Sequence, residues 1–214
     1  MATALSYPSI RKPDGVRRGA VLDDYAAAYR DFSWAAARAE LSGLPGGTGL
    51  NIAHEAVDRH ANGPRADVVA LRWLDRRDGV RDITYRELAE QTARFANLLG
   101  RLGVKPGERV FTLLGRIPEL YVAALGTLKA RAVLSPLFAA FGPEPVRERM
   151  RLGEGVVLVT TPQLYRRTIA PIRDGLPRLR CVLLVGEATD MPDAVHTLDF
   201  AEAVAAAAPV FPIP

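Results

Sequence analysis

The chain has 214 residues, 49% of them apolar and 24% charged, with a formal net charge of +4. That length fits one large domain or one and a half small ones with a real core, and no apolar run nears the roughly 20 residues of a membrane span. The small charge excess, with no basic run interleaved with aromatics, argues against a nucleic-acid partner. The one cysteine, Cys181, excludes an internal disulfide and fits a reducing, cytoplasmic compartment.

Residues 1–20 are polar, rich in Pro, Arg and Gly, and read as a disordered N-terminal segment without a signal core. Residues 21–41, with Tyr25-Ala-Ala-Ala-Tyr29 and Phe32-Ser-Trp34, predict one or two helices. Leu44 to Leu50 is Gly-rich, but no strand precedes it and no Gly-Lys-Ser/Thr comes after it, so it is a linker and not a phosphate loop. Asn51 is placed to cap a helix through His60. His54 and His60 stand six residues apart, about 240° around a helix. That spacing makes them surface or packing histidines, and no metal site is expected.

Val68 to Leu74 and Arg81 to Thr84 flank Asp78-Gly79, a hairpin signal. Thr84 and Glu87 form a capping box for a helix from Tyr85 to Leu102, with Leu88, Phe95, Leu99 and Leu102 as its apolar stripe and Gly103 as its stop. From Arg109 onward apolar strands alternate with helices. The strands are Val110–Leu114, Ala132–Leu134, Val156–Thr160 and Cys181–Val185. The helices are Pro118–Lys129, Pro143–Leu152 and Thr161–Arg173. Cys181, inside an apolar run, reads as a packed core thiol.

Continuous apolar strands, each followed by a helix, predict an α/β fold. It is a mostly parallel sheet with helices on both faces, preceded by a helical extension and a β-hairpin. Ligands of such sheets sit at the carboxyl ends of the strands, which points to the loops after Leu114, Pro136, Thr160 and Val185. From Ala201 to Pro214 a short helix runs into a linker, and His196, just before it, has no visible partner. Arginine is concentrated late in the chain: from Pro143 to Arg180 eight arginines face four acids.

An ordered set of segments carries a resemblance. It comprises Asn51-Ile-Ala-His-Glu-Ala-Val-Asp-Arg-His60, Thr84-Tyr85, Gly107-Glu-Arg-Val-Phe111 and Arg116-Ile-Pro-Glu-Leu-Tyr121. It continues with Leu137-Phe138, Phe141-Gly-Pro-Glu-Pro145 and Val159-Thr-Thr161. In this order the set resembles the N-terminal portion of AMP-forming acetate–CoA ligases, acyl-CoA synthetases of the adenylate-forming family. It covers nearly the whole chain after about Tyr25. The resemblance implies that residues 21–75 are the family's N-terminal extension. It likewise implies that residues 76–214 are an incomplete part of a larger AMP-binding domain, lacking the phosphate loop.

Such ligases join ATP and acetate, with Mg²⁺, into acetyl-adenylate and pyrophosphate; the CoA thiolate then displaces AMP. In the family the phosphate loop, the adenine pocket, the ribose-binding Asp and the catalytic Lys lie downstream of the segments found here. No catalytic residue is therefore assigned, and this chain alone is expected to be inactive. What the resemblance does place here is part of the CoA surface. By position Phe138, Ala139, Ala140 and Arg166, with Arg167 beside it, match residues next to the CoA nucleotide. Arginine suits phosphate through its fixed, charged donor fork. The competing reading makes these arginines solvated helix faces, with Arg173, at the far end of the same helix, as a neutral control.

Two departures from the family stand out. Arg131 occupies a position where glycine relieves a left-handed turn, and the Phe138-Ala-Ala140 loop lacks the small polar residue common there. The expected partners are acetate, ATP and CoA, with self-association through an exposed cut face of the sheet. The alternatives are a non-catalytic degenerate relative serving as a folded or partner-binding module, and a small CoA- or nucleotide-binding domain in its own right.

Overall fold

The computed structural model describes residues 22, 24–187 and 197–214; the expected disorder of residues 1–20 and the position of His196 lie outside them. Two compact units are formed, Met1–Leu41 and Ser42–Pro214.

In the first unit, α1 (Tyr25–Asp31) and α2 (Trp34–Ala39) each begin at a side-chain cap. Asp24 accepts from the Ala27 N–H at 2.9 Å and Ser33 from the Ala36 N–H at 3.1 Å. Neither helix buries a residue. Tyr25 stacks on Tyr29, and Phe32 meets Trp34 edge-on.

The second unit begins with a segment that fastens distant parts of the chain together. Asn51 caps as expected: its Oδ1 accepts from the N–H groups of Ala53 and His54, while its side-chain amide donates to the Leu128 carbonyl at 2.9 Å. The helix it opens is a π-helical turn, His54–Asp58, running into α3 (Arg59–Ala61). Glu55 accepts from the N–H groups of Ser42 (3.1 Å) and Gly43 (2.6 Å) and from Arg59 (2.6 Å). Desolvation opposes the charged carboxylate, but these donors outweigh it and hold its pKa at about 2, below the ordinary 4.5. Asp58 accepts from the Lys129 ammonium at 2.6 Å, and Lys129 also donates to the Ala89 carbonyl at 3.1 Å. The Lys129 side chain is only 3% exposed. Desolvation pushes its pKa down, against the pull of Asp58. His60 packs against the Tyr85 ring, 5.0 Å between centroids.

The predicted hairpin is present as β1 (Val69–Leu74) and β2 (Val80–Thr84). Asp75 closes its loop by accepting from the N–H groups of Arg77 and Gly79. The two strands pair across residues 75 and 76, where the family's extension is expected to give way to the AMP-binding domain. Helix α4 (Tyr85–Arg101) starts at the predicted capping box of Thr84 and Glu87.

Five strands form the main sheet: β3 (Arg109–Leu113), β4 (Val133–Leu137), β5 (Gly155–Thr160), β6 (Cys181–Leu184) and β7 (Thr197–Asp199). Their order is β4-β3-β5-β6-β7 and every pairing is parallel. Helices α5 (Pro118–Lys129), α6 (Pro143–Leu152) and α8 (Phe200–Ala205) fall close to their expected places. β4 is longer than the expected Ala132–Leu134, and β7 has no counterpart among the expected strands. The segment that reads as one helix from Thr161 to Arg173 is three pieces: α7 (Pro162–Leu164), a π turn Tyr165–Ile169 and a 3₁₀ turn Ala170–Gly175.

Side chains alternate across the strands and divide the core in two. Val110, Val157, Val159 and Leu183 face one side, with Phe95 and Leu99 of α4, Val122 of α5 and Phe200 of α8. Phe111, Leu113, Leu158 and Leu184 face the other, with Val146 and Met150 of α6 and with Tyr165 and Ile169. Gly126 lets α5 lie close on α4, because a Cβ there would sit 2.8 Å from Phe95. Cys181 is buried, and desolvation pushes its thiol up to about 11, consistent with an inert core thiol. Both sheet faces are thus covered among the described residues. Helices α4, α5 and α8 pack on one side and the 143–175 segment on the other. Among the described residues no helix is long and apolar enough to cross a membrane.

The C-terminal tail lies along α4, gripped by its main chain. Arg94 donates to the carbonyls of Ala205 and Ala207, Asn97 to those of Ala208 and Val210, and Arg101 to those of Ala203 and Ala206.

Candidate functional site

The parallel sheet brings the carboxyl ends of β3, β4 and β5 side by side, and the loops that leave them meet. Leaving β4, residues 138–141 make a tight turn in which the Phe141 N–H donates to the Phe138 carbonyl at 2.9 Å. Leaving β5, Thr161 caps α7 by accepting from the Leu164 N–H, and the π turn Tyr165–Ile169 comes next. π turns inside helices recur at functional sites.

The two pieces touch through Arg167. Its guanidinium donates to the Ala139 carbonyl at 2.8 Å. Arg166, the arginine singled out from the sequence, is exposed, and its guanidinium makes no hydrogen bond or ion pair among the described residues. Phe138 is 67% exposed and meets Phe141 edge-on, with 5.6 Å between centroids. The Arg149 guanidinium lies 4.5 Å over the Phe141 ring. Of the four residues expected beside a coenzyme, Phe138, Ala139 and Ala140 thus form one turn. Arg166 stands next to the arginine that touches it.

The arginine-rich segment is largely neutralised where it stands. Arg147 pairs with Glu144, Arg151 with Glu148 and Arg180 with Glu108. Arg173 donates to the carbonyls of Leu176 and Leu179. It is therefore a structural clip and not a neutral control, since it ties down the backbone that follows the 3₁₀ turn. Arg178, exposed and without a hydrogen bond or ion pair among the described residues, serves that purpose better.

A cleft of about 720 Å³ lies away from this turn, lined by His54, Asp58, Glu90, Lys129 and the 209–214 tail. Its charges are already paired: Lys129 with Asp58, Glu90 with Arg94. It offers little free chemistry. Among the described residues no group of three or more His, Cys, Asp or Glu could hold a metal ion.

A parallel sheet covered on both faces is an α/β architecture whose ligands usually gather at the carboxyl ends of the strands. More specifically, the chain belongs to the AMP-binding enzyme family, which matches residues 57–209. It is 42% identical over 167 residues to an acetyl-coenzyme A synthetase of Bacillus subtilis, a match covering 77% of this chain and 28% of that protein. To the enzyme of the same name from Halorhodospira halophila it is 34% identical, covering 83% of this chain and 29% of the other. Among solved structures it resembles a Brucella canis acyl-CoA synthetase (TM-score 0.73, 31% identity, 90% of this chain and 34% of that one). It also resembles an acetoacetyl-CoA synthetase of Streptomyces lividans (TM-score 0.68, 35% identity, 77% and 26%). The chain spans 28% and 29% of the length of those two acetyl-coenzyme A synthetases.

Proposed function

We propose that this chain is the N-terminal portion of an AMP-forming acetate–CoA ligase and carries part of its CoA surface. The observation that supports this most is the meeting of the Phe138–Phe141 turn with the Arg166–Arg167 π turn at the carboxyl edge of the sheet. CoA brings several phosphate charges and a purine. An exposed aromatic ring and an unpaired guanidinium are the groups that would meet them. Acetate, ATP and Mg²⁺ belong to the adenylation step, whose residues the resemblance implies lie downstream of the segments found in this chain. No step is assigned to them here. Working in the cytoplasm agrees with the single, buried cysteine.

A second reading, a non-catalytic relative serving as a folded module, is favoured by one feature. Arg131 sits at φ 58°, in the left-handed region where glycine is at ease.

Two measurements test the proposal. Acetate-dependent exchange of pyrophosphate into ATP should stay at background for the 214-residue chain; exchange by the pure chain overturns it. NMR titration should detect CoA at millimolar affinity, roughly −4 kcal/mol. Binding should weaken with salt, because exposed charge contacts are screened over about 10 Å at 0.1 M. Dephospho-CoA should bind more weakly than CoA, and equal shifts for both ligands would remove Arg166 from the site.

A further inference from the structure

The turn at the end of β4 has no turn chemistry of its own. Phe138-Ala-Ala-Phe141 contains no Gly, Pro, Asn, Asp or Ser, the residues that hold turns by preset φ or by local hydrogen bonds. One backbone bond, Phe141 N–H to Phe138 carbonyl, closes it. Its restraints come from two other elements. From α6, Arg149 lays its guanidinium over the Phe141 ring and anchors its own position by donating to the Pro145 carbonyl at 3.0 Å. From the π turn, Arg167 donates to the Ala139 carbonyl. Phe141 also packs against the buried cluster of Phe111, Val146 and Met150, so its ring is fixed from below as well. Phe138 is the one large group of the turn left exposed.

We infer that Arg149 and Arg167 are positioning residues that fix the Phe138–Phe141 turn, so that the Phe138 ring is presented in one orientation with Arg166 free beside it. This rests on the proposal that the turn faces CoA, and it assigns Arg149 and Arg167 to the turn, not to the ligand. Consecutive residues of a helix point about 100° apart, so Arg167 can meet the loop while the Arg166 guanidinium has no partner among the described residues.

The test uses the full chain and separates turn from ligand. Without any ligand, the Phe141 amide should exchange with solvent about tenfold faster in Arg167→Ala and in Arg149→Ala, the loss expected for one charged contact. Arg167→Lys, which keeps a donor for the carbonyl, should stay near the wild-type rate. With ligand, Arg167→Ala and Arg149→Ala should weaken CoA and dephospho-CoA by the same factor, whereas Arg166→Ala should weaken CoA alone. Unchanged Phe141 exchange in both alanine variants overturns the inference. So does an Arg167→Ala variant that loses CoA but keeps dephospho-CoA, because that is the mark of a phosphate ligand. Should wild type bind neither ligand, the CoA proposal falls, and the exchange rates alone uphold or overturn the positioning role. Should Arg167→Ala fail to fold, Arg149→Ala and Arg167→Lys decide it.

Discussion

The two π-helical turns among the described residues are put to opposite uses. His54–Asp58 is tied down at almost every polar position: Glu55 clasps the Ser42–Gly43 backbone, Asp58 pairs with buried Lys129, and Val57 is in the core. Tyr165–Ile169 buries Tyr165, Thr168 and Ile169 but leaves Arg166 and Arg167 outside, one on a loop carbonyl and one unengaged. The same widening of the helix serves as a fastener in the first case and as a display in the second. Substitutions of the clasping residues of the first turn should therefore change stability, and substitution of Arg166 in the second should change binding with little effect on stability.

The largest effect is expected at Asp58. Asp58→Ala strands the Lys129 ammonium in a site where it is only 3% exposed. A stranded buried charge costs about 3 kcal/mol, read as a lower urea midpoint. Replacing the pair together, Asp58→Leu with Lys129→Met, should recover most of that loss; a double variant as weak as the single one would show that the charges themselves are needed.

Next comes Arg131, at the end of the α5 helix that the first turn fastens. Arg131→Gly should raise stability by about 1 kcal/mol by relieving the left-handed conformation. The exposed bond from Arg131 to the Pro214 carbonyl offsets this only slightly. A thermal melt that falls instead would mean that the Arg131 contact matters more than its backbone strain.

Acid titration sharpens the comparison through Glu55. Its folded pKa is depressed to about 2 from the ordinary 4.5, so its contribution is full above pH 4.5 and is lost as pH falls towards 2. Wild type should lose stability over that window more steeply than Glu55→Gln. Parallel curves would free the first turn from its clasp role.

The smallest effect is expected in the second turn: Arg166→Ala should change stability by less than about 0.5 kcal/mol, as exposed, unpaired positions do. A larger loss would make Arg166 a structural residue and erase the contrast.

Much of this architecture is legible in local sequence. Thr84 and Glu87 announce the start of α4, Asp78-Gly79 the hairpin, and apolar runs such as Val156 to Val159 the buried strands. The left-handed turn at Arg131 is legible only through the resemblance, whose members usually have glycine there. Local pattern fails where the cause is distant. Asp58 and Lys129 are 71 residues apart, and nothing near either names the other. β7 is three residues long and exists because β6 offers it an edge. Which of Arg166 and Arg167 is engaged depends on the Ala139 carbonyl, 28 residues before Arg167, and nothing near either arginine names it.

The grip of α4 on the C-terminal tail has a consequence for how this chain can change over time. Arg94, Asn97 and Arg101 hold carbonyl oxygens, which every amino acid provides alike. The tail's exposed positions, such as Ala205, Ala206 and Ala208, are therefore nearly free to drift, while the buried Ala207 and the path of the chain stay fixed. The constraint is carried by three side chains on another helix, over a hundred positions earlier in the chain.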